Sequence, residues 1–327
     1  MLSLSNVVKG RFGGKQYCLL RDSLKVRKKL GKSTDPLVKA FARKYQYLLI
    51  KYFFGTNMSA NARVEYQRRA YSTLCNIYTN SDDDRFFDFD GIIIPKAISA
   101  EYEGALCFAF QDLLFCNLSE YDLDFCEPFY VEGPYEIGNV YIENGDIVID
   151  CGANMGFFSA IASHKGAIVY AFEPSETVIN NYLSLTASKN PNIHVCKYAL
   201  SNEIGELKFL LDNKTIGGST LAITGLARDN SNLATVRSIT LDSFVHDNNL
   251  SCVNFIKADI EGAERYMLKG AKQVLKDFAP KLAICSYHLP DDPKVLRELI
   301  LDANPNYVVE EKFEKMYAHV PSNVKYS

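Results

Sequence analysis

The chain is 327 residues long, with 47% hydrophobic and 23% charged residues. Those are globular proportions that exclude wholesale disorder, and the length suggests two domains. Its longest uninterrupted apolar run, Ala105 to Phe110, is far short of the roughly 18 residues of a membrane-spanning helix. Lys9 and Arg11 interrupt the start of the chain before any secretory apolar region develops. The nine cysteines are scattered, no two closer than nine residues, which fits neither a zinc ribbon nor a CxxC redox pair. Reduced thiols and a cytoplasmic location are expected. The net charge of −3 hides an asymmetry: residues 1–70 hold 16 Lys/Arg against 3 Asp/Glu, and residues 71–140 hold 2 against 14. A basic arm beside an acidic stretch implies either an anionic partner or mutual neutralisation.

Two basic amphipathic helices are predicted first, over Lys39–Phe54 and Asn61–Tyr78. Residues 86–130, aromatic and acidic, read as mixed short elements. Pro128, Gly133, Pro134 and Gly138 mark a boundary, giving a helix-rich N-terminal domain, 1–138, and a second domain, 139–327. Beyond it, strands are predicted at Ile147–Ile149, Ile168–Phe172, Ile193–Cys196, Leu207–Leu211, Val236–Leu241, Phe255–Ile256, Leu282–Ser286 and Tyr307–Glu310. Helices are predicted at Phe157–Ser163, Ser175–Ser188, Ala263–Phe278 and Pro293–Leu301. Alternating strands and helices specify an α/β fold with a mostly parallel sheet covered on both faces.

The first chemical signal is Asp150-Cys-Gly-Ala-Asn-Met-Gly156, between a strand and a helix. Gly152 and Gly156 let the backbone pass close to a ligand, and Asn154 is among the residues that tolerate positive φ. The spacing is not the G-x-G-x-x-G of a pyrophosphate-binding turn, which argues against a nicotinamide dehydrogenase. Glu173 closes the next strand, placed to accept the hydroxyls of a ribose. Together these features indicate a nucleoside-containing cofactor. The third signal, Lys257-Ala-Asp-Ile-Glu-Gly-Ala-Glu264, brings Asp259, Glu261 and Glu264 to a strand end; helix capping is its bland alternative.

With Ala171-Phe-Glu-Pro174, Thr240-Leu-Asp242, Lys269-Gly-Ala271 and Tyr287-His288 in the same order, the sequence resembles the FkbM family of S-adenosylmethionine-dependent methyltransferases over roughly residues 145–320. The resemblance implies a class I methyltransferase (Rossmann-like) fold, a seven-stranded sheet whose last strand is antiparallel, and O-methylation of a hydroxyl on a sugar or secondary metabolite. It also implies that Gly152, Asn154 and Gly156 surround the methionine part of S-adenosylmethionine, and that Asp150 lies near its amino group. By the same resemblance Glu173 holds the ribose, and Ala199 and Leu200 border the adenine.

A sugar hydroxyl needs its proton accepted as the new bond forms, and the candidate catalytic groups are His288, Asp259 and Glu261. His288 is attractive because an unperturbed imidazole titrates near 6.5. A divalent metal held by Asp259, Glu261 and His288 is the less favoured alternative; metal-free catalysis is the expectation. Cys151 reads as a small filler in the cofactor turn, and Gly217 to Thr220 as either a loop over the site or a hairpin connection. The expected partner is a small-molecule or glycan acceptor; N-methylation is the nearest enzymatic rival. Nucleic acid is disfavoured, since no Pro-Pro-Tyr or Pro-Pro-Trp follows the acid. Lys25, Arg27, Lys28, Lys29 and Lys32 are candidates for the phosphates of a nucleotide- or lipid-linked sugar, for an anionic membrane surface, or for dimerisation.

Overall fold

The computed structural model describes residues 86–89, 91–95, 134–212, 219–226 and 231–321. The two basic helices, the lysine-arginine group at 25–32 and the helical character of the first domain lie outside those residues. The chain divides into two compact units, Met1–Tyr130 and Val131–Ser327. In the first, β1 (Phe86–Phe89) and β2 (Ile92–Pro95) form an antiparallel hairpin around Gly91.

The second unit is built on a seven-stranded sheet: β3 (Ile147–Cys151), β4 (Ile168–Phe172), β5 (Ile193–Cys196), β10 (Phe255–Ala258), β11 (Lys281–Cys285), β12 (Val308–Lys312) and β13 (Lys315–His319). Their spatial order is β12-β13-β11-β10-β3-β4-β5. Neighbours from β11 to β5 are parallel, and β13 runs antiparallel to both β11 and β12. This is the expected α/β class I methyltransferase architecture. The central strands are apolar almost throughout because helices bury both faces: Val148, Ile149, Ile256, Leu282 and Ile284 have no solvent exposure. The order of strands reverses between β3 and β10, where open α/β sheets bind ligands at the carboxyl ends of their strands.

Helices follow the strands: α1 (Phe157–His164), α2 (Glu176–Val178) continuing through a π-helical turn (Ile179–Leu183) into α3 (Ser184–Lys189), α4 (Leu241–Asp247), α5 (Glu264–Lys269), α6 (Lys272–Asp277) and α7 (Asp292–Ala303). Three sequence expectations are corrected here. The single helix expected over 263–278 is two, because at Gly270 the chain passes so close to another segment that a Cβ would sit 2.1 Å from the Ser201 carbonyl oxygen. The Asp242 carboxylate then caps the new N-terminus, accepting from the backbone N–H of Gln273 at 3.1 Å and Val274 at 2.9 Å. The Thr240-Leu-Asp242 and Lys269-Gly-Ala271 motifs are therefore one structural joint. Second, Leu241 is not the end of a strand but the start of α4, capped by the Thr240 hydroxyl, which accepts from Ser243 N–H. Third, the strands around Leu207 and Val236 are not in the main sheet. β7 (Gly205–Asp212) and β9 (Ser231–Ile239) pair with each other and with β8 (Thr220–Leu221) and β6 (Ala199–Leu200) in a separate four-stranded sheet, order β6-β9-β7-β8.

Candidate active site

The turn leaving β3 is shaped by what passes beneath it. Gly152 has φ +77°, and a Cβ there would lie 2.1 Å from the Asp259 carbonyl oxygen. Only glycine supplies both the left-handed conformation and the clearance. Asn154, at φ +51°, and Gly156, at φ +85°, complete the left-handed set expected from the sequence. Gly152 and Ala153 donate their N–H groups to the Phe172 carbonyl, which ties the turn to the end of β4.

At that end Glu173 is 8% exposed. Its Oε2 accepts from Asn154 N–H at 3.1 Å, and its Oε1 accepts from Ser175 N–H at 2.8 Å. Burial pushes the Glu173 carboxyl up to about 7 against the pull of those two backbone donors. Two accepted bonds leave lone-pair positions for further donors, so the carboxylate can take hydroxyls without losing its hold on the turn.

Asp150 is fully buried. Its Oδ1 lies 3.1 Å from Lys257 Nζ, and its Oδ2 accepts from the Ser159 hydroxyl at 2.6 Å. Burial works against the Lys257 charge, but Asp150 and then Asp259 outweigh it and hold the ammonium well above its ordinary range. Lys257 Nζ also donates to the Gly152 carbonyl at 2.8 Å. Asp150 and Lys257 thus brace the turn from behind. Cys151 is fully buried, and that burial, followed by the Asp150 charge, pushes its thiol up. It is a filler, as its position in the turn implied.

The third strand end carries the acids. Glu261 has φ +55° and Gly262 φ +91°, so the chain turns sharply after β10 and returns Glu264 to the interior. Glu264 has no exposure and accepts from Ile260 N–H at 2.8 Å. His288, just beyond β11, lies among three carboxylates: Nδ1 is 3.2 Å from Glu264 Oε1, and Nε2 is 3.5 Å from Asp259 Oδ1 and 3.7 Å from Glu261 Oε2. Burial alone disfavours a charged imidazole, but Glu264, then Asp259 and Glu261, lift His288 to about 9. The carboxylates thus favour the charged form of the ring. That shift takes the imidazole away from the ordinary titration range on which the sequence argument for a ready base relied. Asp259 is also charged: burial opposes it, yet Lys257, His288, Lys315 and the Tyr135 hydroxyl keep its carboxyl below the usual range.

Two residues had no signal in the sequence. Tyr135 donates its hydroxyl to Asp259 Oδ2 at 2.9 Å, with its ring edge-on to Phe158. Lys315, fully buried on β13, places Nζ 4.6 Å from the centre of the Tyr135 ring. Neither could be found locally, since Tyr135 is 124 residues from Asp259 and β13 was not expected as a strand. Ala199 and Leu200 are buried in β6, Ala199 in the core of the small sheet and Leu200 in the main core. Of Gly217 to Thr220, only Ser219 and Thr220 are described; the Thr220 hydroxyl donates to the Glu261 carbonyl at 2.6 Å, joining β8 to the acidic turn. Among the described residues no helix is long and apolar enough to cross a membrane.

Residues 150–317, just over half of the chain, match the family model of the methyltransferase FkbM domain. The hexuronic acid methyltransferase AglP of Haloferax volcanii is 27% identical over 162 residues, covering 49% of this chain and 64% of that protein. The chain therefore spans less than two thirds of that relative's length. A crystal structure of an FkbM methyltransferase from Methylobacillus flagellatus is 20% identical with TM-score 0.44, covering 68% of this chain and 55% of the other. A Streptococcus mutans protein solved in complex with SAH is 11% identical with TM-score 0.31, covering 60% and 94%.

Proposed function

The chain belongs to the FkbM methyltransferase family, and from that premise we propose that it uses S-adenosylmethionine to methylate a hydroxyl of a sugar. The observation that carries this reading is the tie between Asn154 N–H and buried Glu173 across the ends of β3 and β4. It joins the left-handed turn leaving β3 to a carboxylate suited to ribose hydroxyls. The residues fit the cofactor: the buried Asn154 Oδ1, in the turn beside Glu173, has no hydrogen-bond partner among the described residues. In the same reading Ala199 and Leu200 border the adenine. The similarity to a hexuronic acid methyltransferase supports a sugar acceptor.

When bound, the cofactor would supply an electrophilic methyl on a sulfonium, whose neutral thioether is a good leaving group. The chain's work is then to position the acceptor in line and to take its proton. An alcohol that has gained a methyl group is strongly acidic, so a weak base suffices late in the step. We assign that role to Asp259, ionised and held by the Tyr135 hydroxyl. His288, 3.5 Å from Asp259, and Glu261 beside it shape its field. Residues 1–138 are proposed to select the acceptor.

The reading is tested by incubating the full chain with methyl-labelled S-adenosylmethionine and a panel of hexose and hexuronic acid acceptors. Label is expected on a hydroxyl oxygen, with turnover abolished in Asp259→Asn and cofactor affinity lost in Glu173→Ala. Absence of cofactor binding by the wild type, or label on nitrogen alone across a matched amine panel, would overturn it.

A further inference from the structure

His288 is surrounded by carboxylates that it does not bond well. Its side chain is 4% exposed, and carboxylate oxygens lie 3.2, 3.5 and 3.7 Å from its two nitrogens. Even so, neither nitrogen forms a hydrogen bond of acceptable geometry among the described residues, and neither does Oε2 of the fully buried Glu264. A buried network built for hydrogen bonding aligns its donors and acceptors. Groups that crowd together without alignment are arranged as ligands of a cation are.

One ligand atom each from Asp259, Glu264 and His288 lies within 4.8 Å of the others. Donors bonded to one ion at about 2.1 Å stand about 3 to 4.2 Å apart, so side-chain adjustment alone closes the set. Three carboxylates, of Asp259, Glu261 and Glu264, converge on the imidazole, and a divalent ion there would meet them with two positive charges.

We propose that Asp259, Glu264 and His288 form a binding site for a divalent first-row transition metal ion. One imidazole with two carboxylates favours manganese, iron, cobalt or zinc over calcium, which takes oxygen ligands alone. The ligand set differs from the alternative drawn from the sequence, because Glu264 and not Glu261 completes the cluster. Three protein ligands leave coordination positions open, at the strand ends next to the cofactor turn. There the ion would hold acceptor hydroxyls and lower their pKa. That last role rests on the proposed function; the metal site itself does not.

The test uses the full chain, stripped of metal by chelation and desalting, then titrated with Co2+ by its visible absorption and with Mn2+ by electron paramagnetic resonance. One ion per chain is expected, with affinity at least about tenfold weaker in His288→Ala and in Glu264→Gln. Because Glu264→Gln removes a buried charge and can unfold the chain, a second readout uses the wild type. Mn2+ should broaden the His288 imidazole resonance selectively among the five histidines. No binding, equal affinity in the variants, or an unbroadened His288 signal at saturation overturns the site. Cobalt binding without methyl transfer leaves the metal site standing and removes the enzymatic reading; methyl transfer with no metal bound does the reverse.

Discussion

Asp150 and Lys257 sit directly opposite each other on adjacent parallel strands and form a buried ion pair with an N–O distance of 3.1 Å. Side-chain exposures of 0% and 6% mean that each charge depends on the other for its compensation. Lys257→Met strands Asp150 in the sheet and is expected to cost about 3–5 kcal/mol. The double variant with Asp150→Asn should recover a large part of that loss. Urea unfolding of both variants beside the wild type checks it; a double variant no better than the single one would show that the pair is not coupled.

Gly152 and Gly145 make a matched pair of glycines. Both have left-handed φ, +77° and +89°, but a Cβ at Gly152 meets the Asp259 carbonyl oxygen at 2.1 Å whereas at Gly145 it meets nothing within 4 Å. Gly145→Ala should cost only the conformational strain, about 1–2 kcal/mol. Gly152→Ala should cost more and also displace the turn, abolishing cofactor binding measured by calorimetry. Equal effects of the two substitutions on melting temperature would contradict the close approach.

The proposed ribose role of Glu173 predicts a cofactor affinity that depends on pH. Its carboxyl is raised to about 7 in the free protein, mainly by burial. The ionised form is the better acceptor for ribose hydroxyls, so binding favours loss of the proton. Affinity should therefore rise with pH by up to about tenfold per unit below 7 and level off above it. The sign for stability is opposite: the raised carboxyl favours the folded state at low pH, and that contribution is lost as pH climbs through 7. Glu173→Gln should bind weakly with a flat pH profile; a sloping profile in the variant would assign the effect elsewhere.

Arg265 secures the segment that follows His288. Its guanidinium reaches Asp291 at 2.7 Å and the fully buried Asp292 at 2.6 Å, while Asp292 Oδ2 accepts from Leu289 N–H at 2.8 Å. Arg265→Ala is expected to cost about 1.5–3 kcal/mol, the scale of charge-assisted hydrogen bonds. Amide exchange should speed up across residues 287–292, with cofactor affinity unchanged. Protection there equal to wild type would mean that the loop is held by other contacts.

What the sequence by itself determined was whatever the chain encodes locally. The glycine turn, Glu173 at the next strand end and the acid-rich exit from β10 each lie within a short stretch, because a strand, a tight turn and a helix start are set by neighbouring residues. The left-handed φ of Asn154 could be anticipated for the same reason. The break at Gly270 could not, since the Ser201 carbonyl that forces it comes from a distant segment. Nor could the sequence separate Glu261 from Glu264: the two positive φ values at Glu261 and Gly262 decide which carboxylate turns inward. His288 could be named as a candidate, but its protonation state depends on three carboxylates assembled by strand register and a turn. Tyr135 and Lys315 reach Asp259 only through tertiary packing, from the segment after the domain boundary and from the antiparallel strand β13. Charges and hydrogen bonds act through space, so the chemistry of the site was fixed only when the sheet brought those residues together.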